Sequence, residues 1–255
     1  MAFDDEFELP SAEAASVRLG EVVLEWLSRA ILEGRLKVGD PLPAESRLAA
    51  AFGVSKPVVR EAVRELAALG VVHIQQGKVA RVRAVDAGPL VQFFRFAVSE
   101  NDRGLADANE LRKVIEPHTA MLAARRSTAA EQTHLTAAIK AIEDSVGRPE
   151  AFTDADILFH ETIAAMTGNR LLSLQMQGLR SVIRGVSQIL TTRPSRTAKE
   201  WDATVARHRA IHDAIVARDE IRASAAMVEH FGAADAAIDE MTALWRSRRG
   251  NTSAA

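Results

Sequence analysis

Apolar and polar positions follow a helical period through most of this chain, broken once near residue 70 by the period of a strand. From Ser16 to Gly34, residues Val22, Val23, Leu24, Trp26, Leu27, Ala30 and Ile31 recur at helical spacing and predict a helix with a broad apolar face. Gly34 and the run GDPLP at 39–43 predict its end and a turn. AESRLAAAF (44–52) predicts a short second helix closed by Gly53, a residue type suited to the left-handed position after a helix end. Ser55 is placed to cap a third helix, KPVVREAVRELAAL, which runs to Leu69 with Pro57 in its first turn. VVHI (71–74) and VARV (79–82) then flank a glycine turn, QQGK (75–78), and predict a β-hairpin. A short helix, a glycine turn, a second helix and a hairpin make a winged helix-turn-helix, here over residues 11–84.

Beyond about Val85 only the helical period persists, with expected helices at 87–99, 105–126, 128–145, 150–167, 170–191, 197–217 and 219–246. Breaks fall at Asn101–Gly104, Gly147–Pro149, Gly168–Asn169 and Pro194–Ser195. The fold class is mainly α: a winged helix-turn-helix with a small hairpin, followed by an all-α bundle over 85–246. Residues 1–10 (MAFDDEFELP) are expected to be a disordered leader, and 247–255 a frayed tail.

Composition narrows the chemistry. With 255 residues, 47% of them hydrophobic, a sizeable core is available without disulfides or a structural metal. The absence of cysteine excludes disulfides, thiolate metal sites and cysteine nucleophiles, and fits a cytoplasmic protein. No apolar run approaches the roughly 18 residues of a membrane span, and the acidic N-terminus is no signal peptide. The net charge of −2 conceals an uneven distribution: residues 11–84 hold eleven Lys and Arg against eight Asp and Glu.

Part of that positive charge lies in a stripe. Lys56, Arg60 and Arg64 fall at i, i+4 and i+8 on the third helix, opposite Val59, Ala62, Val63 and Leu66. Such a stripe suits the DNA major groove, where Arg and Lys reach guanine edges and phosphates. For a lone helix, a solvated face paired with Glu61 and Glu65 would be the better reading; the flanking helix and hairpin favour DNA.

A second constellation lies in the bundle. Asp156 and His160 are one helical turn apart in DADILFHET. His208 stands ten residues before the expected turn at Arg218–Asp219 and His230 eleven after it, so an antiparallel pair of helices holds them at one level. A count through the turns at 168 and 194 brings Asp156 and His160 to within a few residues of that level, and helical bundles commonly build metal sites from facing helices. Imidazole and carboxylate suit zinc, nickel or manganese. Each histidine taken alone is more often structural, the reading kept for His73, His118 and His134. His212, four residues after His208, competes with it by spacing, and level matching favours His208 modestly.

The run LPAESRLAAAFGVSKPVVREAVRELAALGVV followed by QQGK resembles the DNA-binding domain of the GntR family of bacterial transcription regulators. The resemblance implies DNA contacts from Lys56 and Arg60, with Gln76 and Gly77 at the wing tip; Ser46, Arg47, Ser55 and Arg64 join them as expected contacts. Ser46 and Lys56 stand where the family usually has arginine, and Val79 where it often has glycine. ELRKVIEPHTAMLAA (110–124), DADILFHETIAAMTGN (154–169), RHRAIHDAI (207–215) and MVEHF (227–231) resemble the FCD effector domain of the FadR subfamily. That resemblance implies Asp156, His160, His208 and His230 as metal ligands and Arg112 as a partner for an effector carboxylate. Arg112 has a rival reading as a salt bridge to Glu116, one turn on.

Three functions are compatible with this layout. A metal-dependent hydrolase is disfavoured, because the chain lacks HExxH, a nucleophile motif and a phosphate loop. A metalloregulator would use the metal itself as signal. The preferred expectation is a homodimeric, ligand-responsive repressor that binds a palindromic double-stranded operator. One divalent metal per chain would then help hold a small carboxylate effector.

Overall fold

The computed structural model describes residues 11–100, 103–192, 196–232 and 235. The expected leader at 1–10, the tail at 247–255 and the stretch 236–246 of the last expected helix lie outside the described residues. Two compact units divide between Pro89 and Leu90.

The first unit contains α1 (Ser11–Leu32), α2 (Glu45–Phe52), α3 (Lys56–Ala68), β1 (Val72–His73) and β2 (Arg81–Val82). Helix α1 starts five residues earlier than its apolar pattern predicts. Its buried stripe is also narrower: Val23, Leu27 and Ala30 enter the core, while Val22 and Trp26 stay exposed. Val59, Ala62, Val63 and Leu66 of α3 face α1 and α2 as their spacing requires, and Leu48, Val72 and Val82 close the same core. Gly53 ends α2 at φ 65°, a left-handed conformation that costs glycine little, and its N–H reaches the Ala49 carbonyl. Ser55 has the extended backbone of a cap residue, yet its hydroxyl makes no capping bond; Pro57 has already removed one of the free N–H groups there. The hairpin pairs Val72 with Val82 and His73 with Arg81, shorter than its alternating pattern suggests. The carbonyls of Ala80 and Val82 accept instead from Leu42 and Gly39, 2.8 and 2.9 Å away, so the segment before α2 extends the wing sheet.

The second unit is helical throughout its described residues: α4 (Gly88–Ser99), α5 (Gly104–Arg126), α6 (Ala129–Asp144), α7 (Pro149–Met166), α8 (Arg170–Gly178), α9 (Arg180–Thr191), α10 (Ala198–Val216) and α11 (residues 220–232). The expected single helix at 170–191 is interrupted at Leu179, a fully buried residue. Beside it, Gly178 is so close to α4 that a Cβ there would lie 2.7 Å from the Leu90 Cβ. Helix α7 packs against α5, α6, α8 and α9, so residues on its inner faces are dry. Phe152, Phe159 and Ile163 of α7 meet Leu135 and Ile142 of α6, Trp201 and Ile211 of α10 and Phe231 of α11. Arg218 takes φ 59° between α10 and α11, uncommon for a residue with a Cβ, and its guanidinium is tied to the Ser127 carbonyl at 2.7 Å. This pinned turn sets the register in which α11 returns along α10. Among the described residues, no helix is long and apolar enough to cross a membrane.

Candidate functional site

In the first unit a groove of about 570 Å³ runs between α3 and the wing. Of the expected DNA contacts, Ser46, Lys56, Arg60, Arg64, Gln76 and Gly77 line it; Arg47 and Ser55 are exposed but outside its lining. Lys78, which the sequence reading did not single out, also lines it. Gly77 turns the wing at φ 74°. Arg60 pairs with Glu45 at 2.8 Å and Arg64 with Glu61 at 3.2 Å, both pairs largely exposed. Exposed pairs of this kind contribute only about 0–1 kcal/mol, so they can be exchanged for a polyanion at little cost. The groove thus presents exposed cations and amide side chains beside an apolar lining of Leu42, Val63, Ile74 and Val79.

In the second unit Asp156, His160, His208 and His230 converge. One donor atom from each lies within 4.8 Å of the other three, in contributions from α7, α10 and α11. The ring centroids are 4.5 Å apart for His208 and His230, 5.1 Å for His160 and His230, and 6.0 Å for His160 and His208. His212 is not in the cluster; its ring nitrogens are engaged by Thr136 at 3.0 Å and Asp213 at 2.8 Å. His73, His118 and His134 are exposed elsewhere.

A hydrogen bond behind the cluster fixes the His208 ring, and an ion-pair contact lies behind His160. His208 Nδ1 is 2.8 Å from the Thr204 carbonyl, an oxygen that can only accept, so Nδ1 carries the proton and donates it. His208 Nε2 is therefore turned toward Asp156 Oδ1, 2.8 Å away. A lone pair facing a carboxylate oxygen at that distance is repulsive unless a proton or a metal cation lies between them. His160 Nδ1 lies at ion-pair distance, 2.5 Å, from Glu116 Oε2 but off the line of a hydrogen bond, and its Nε2, 3.6 Å from Asp156 Oδ1, is likewise buried without a hydrogen-bond partner. His230 Nδ1 is a second buried nitrogen without a partner. Tetrahedral zinc–nitrogen bonds of about 2.0–2.1 Å set ligand atoms about 3.4 Å apart, so modest side-chain adjustments of about an ångström would close this donor set on one ion. The residues fit a divalent metal.

Charge is packed tightly around it. Burial alone would raise the Glu116 carboxyl, but Arg112 and His160 outweigh burial and hold it below its usual range. Burial opposes ionisation of Asp156 too, yet His160 and His208 hold it well below. Burial works against a charged His160, but Glu116 and Asp156 raise it to about 9. Burial, reinforced by His208 and His160, pushes His230 well below the ordinary histidine value.

Arg112 is 3% exposed, donates through Nε to Glu116 Oε1 at 2.6 Å and stacks over Phe231 at 4.9 Å. Its salt bridge to Glu116 therefore exists, and its buried Nη2 still has no partner. Glu116 was legible only as the far end of that helical pair. Its contact with His160 joins two helices, and no local spacing carries it.

Two family models match the chain: Bacterial regulatory proteins, gntR family, over residues 19–82, and FCD domain, over residues 107–233. The HTH-type transcriptional regulator LutR of Bacillus subtilis is 30% identical over 208 residues, spanning 78% of this chain and 92% of LutR. The HTH-type transcriptional repressor NanR of Cronobacter sakazakii is 28% identical over 242 residues, 92% of this chain and 91% of NanR. The Glc operon transcriptional activator of Escherichia coli K12 is 33% identical over 168 residues, 62% of this chain and 65% of that protein. Among solved structures, Streptococcus agalactiae GntR superposes with a TM-score of 0.64 at 27% identity, covering 84% of this chain and 98% of that one.

Proposed function

Because the chain belongs to the GntR family of bacterial transcription regulators and carries an FCD domain behind its helix-turn-helix, we propose that it is a repressor whose operator affinity is set by a small carboxylate bound beside a divalent metal. It is a DNA-binding regulator and not an enzyme. The observation that carries the finer reading is the convergence of Asp156, His160, His208 and His230 next to a buried guanidinium that retains an unpaired N–H.

In this reading the four side chains hold zinc, nickel or manganese. A bound ion supplies positive charge and, if octahedral, coordination positions beyond the four protein donors. Arg112 offers its unpaired Nη2 to the effector carboxylate, and Phe231 keeps the guanidinium flat and dry. The groove between α3 and the wing receives DNA, with Lys56 and Arg60 on bases and phosphates and Gln76–Gly77 at the neighbouring groove. The protein acts as a two-fold dimer on a palindromic operator in the cytoplasm. A thermal-shift screen of organic acids on metal-loaded protein identifies the effector, since a ligand that binds the folded state raises the melting temperature. Failure of every acid to do so would overturn the carboxylate.

The charge state of the metal-free cluster gives a pH prediction. His160 titrates near 9 without metal, so at pH 7 a metal must displace its proton. Apparent metal affinity should therefore rise at least about tenfold per pH unit from pH 7 to 8, with the His160 contribution levelling off above 9. Calorimetry in buffers of different ionisation enthalpy should show proton release on metal binding at pH 7, one proton from His160 and a second from the proton held between His208 and Asp156. The same shift has a stability sign. A histidine raised from 6.5 to about 9 stabilises the metal-free fold fully below 6.5, and that contribution disappears as the pH rises through 9. Saturating metal should remove this alkaline decline. A pH-independent metal affinity would show that His160 is not displaced.

A further inference from the structure

We propose that Glu116 is a positioning residue shared by the two ligands of this domain: one carboxylate that orients His160 toward the metal and anchors Arg112 for the effector. The inference rests on the metal reading above. It goes beyond that reading by making the site's metal affinity depend on a residue that is not a ligand.

The geometry is specific. Glu116 is 1% exposed on α5, one turn after Arg112. Its two oxygens have different tasks: Oε1 accepts from Arg112 Nε at 2.6 Å, and Oε2 stands 2.5 Å from His160 Nδ1. An ionised carboxylate only accepts, so His160 Nδ1 must carry a proton, which leaves Nε2 to supply the lone pair for a metal. The ring direction is thus set before metal arrives, and displacement of the Nε2 proton by the metal leaves the ligating tautomer. His208 is oriented by a neutral carbonyl of its own helix, at Thr204. His160 is oriented by a charged group from another helix. A carboxylate behind an imidazole raises its basicity and strengthens its bond to a cation.

On the other side, Glu116 takes the Nε of Arg112 and leaves the buried Nη2 unpaired. The guanidinium is clamped between this carboxylate and the Phe231 ring. Electrostatics point the same way. Arg112, Asp156 and a divalent ion alone would leave two buried positive charges in excess. Glu116 removes one, and an effector carboxylate would remove the other. Metal and effector are therefore tied to the same buried anion.

The test compares three variants with wild type. Metal affinity is read by competition with a chromophoric chelator, and ligation by the electronic spectrum of the Co²⁺-loaded protein. Glu116→Gln keeps the shape and removes the charge; it should lower metal affinity about 10–100-fold, the usual effect of losing such a partner, and shift the Co²⁺ bands. Arg112→Met keeps the contact between Glu116 and His160, so it should retain wild-type metal affinity or exceed it. The double variant Arg112→Met/Glu116→Gln has no unpaired buried charge at this position, which guards against a simple folding failure, and it should lose metal affinity as Glu116→Gln does. In metal-loaded wild type, the His160 Nδ1 proton should resonate far downfield by NMR, as a proton shared with a carboxylate does, and that signal should vanish in the Gln variants. Wild-type metal affinity and an unchanged Co²⁺ spectrum in both Gln variants would overturn the proposal. Wild-type protein that takes up no metal would overturn the metal reading itself, a separate outcome read on a separate sample.

Discussion

Protein purified with both His160 and His230 changed to alanine should contain no bound divalent metal, and wild-type protein should contain one ion per chain. His160 and His230 are half of the four donors and come from α7 and α11, so no neighbouring pair can substitute for them. The two that remain, Asp156 and His208, are 2.8 Å apart and would share a proton instead. The effect extends to stability. An ion present at a hundred times its dissociation constant stabilises the fold by about 2.7 kcal/mol, all of which the variant forfeits. Its melting temperature should then be insensitive to a chelator, while that of wild type falls. His212→Ala should keep the metal, because the His212 ring belongs to Thr136 and Asp213. Elemental analysis of wild type, the double variant, His212→Ala and His208→Ala is sufficient. Full metal content in the double variant refutes the assignment, and loss in His212→Ala with retention in His208→Ala would move the site to the other member of that pair.

The second large effect concerns DNA. Lys56→Ala/Arg60→Ala should abolish measurable operator binding at physiological salt and leave the fold intact. Both side chains are exposed on the groove, and neither contributes to the core formed by Val59, Ala62, Val63 and Leu66. An arginine on a guanine edge contributes about 1–3 kcal/mol, and a lysine on phosphate adds a salt-dependent increment. Arg60→Ala alone should therefore cost about 1–3 kcal/mol and relax specificity. Release of Arg60 from Glu45 on binding adds little cost, since that pair is exposed. Fluorescence anisotropy across a salt series reads both quantities. Undiminished operator affinity in the double variant would mean that α3 does not enter the groove of DNA.

Much of this architecture could be read from the residues because it depends on local periodicity. The α3 face, the glycine that ends α2 and the succession of bundle helices follow from spacing and from residues with restricted backbones. The level match of His208 and His230 followed from counting outward from one turn, and Arg218 holds that turn where the count needs it. What escaped was non-local. The break at Leu179 reflects the close approach of Gly178 to Leu90, which no helical pattern encodes. The wing strands are short because the segment before α2 takes the Ala80 carbonyl. Trp26 counts as apolar in the pattern of α1, yet its indole stays exposed, with the Phe52 ring and the Arg35 guanidinium against it. The partnership of Glu116 with His160 required the register of α5 against α7, and Arg112 proved to be both a salt bridge and a group with an unpaired N–H.

The most direct test of the account is the operator affinity of the metal-loaded protein, measured with and without an organic acid that raises its melting temperature, in wild type and in Arg112→Ala. The account predicts that the acid changes wild-type operator affinity about 5–150-fold, a coupling of 1–3 kcal/mol, that chelation abolishes the change, and that Arg112→Ala loses it while still binding the operator. If added metal alone switches operator affinity and no acid alters it, the metal is the signal and the account is contradicted.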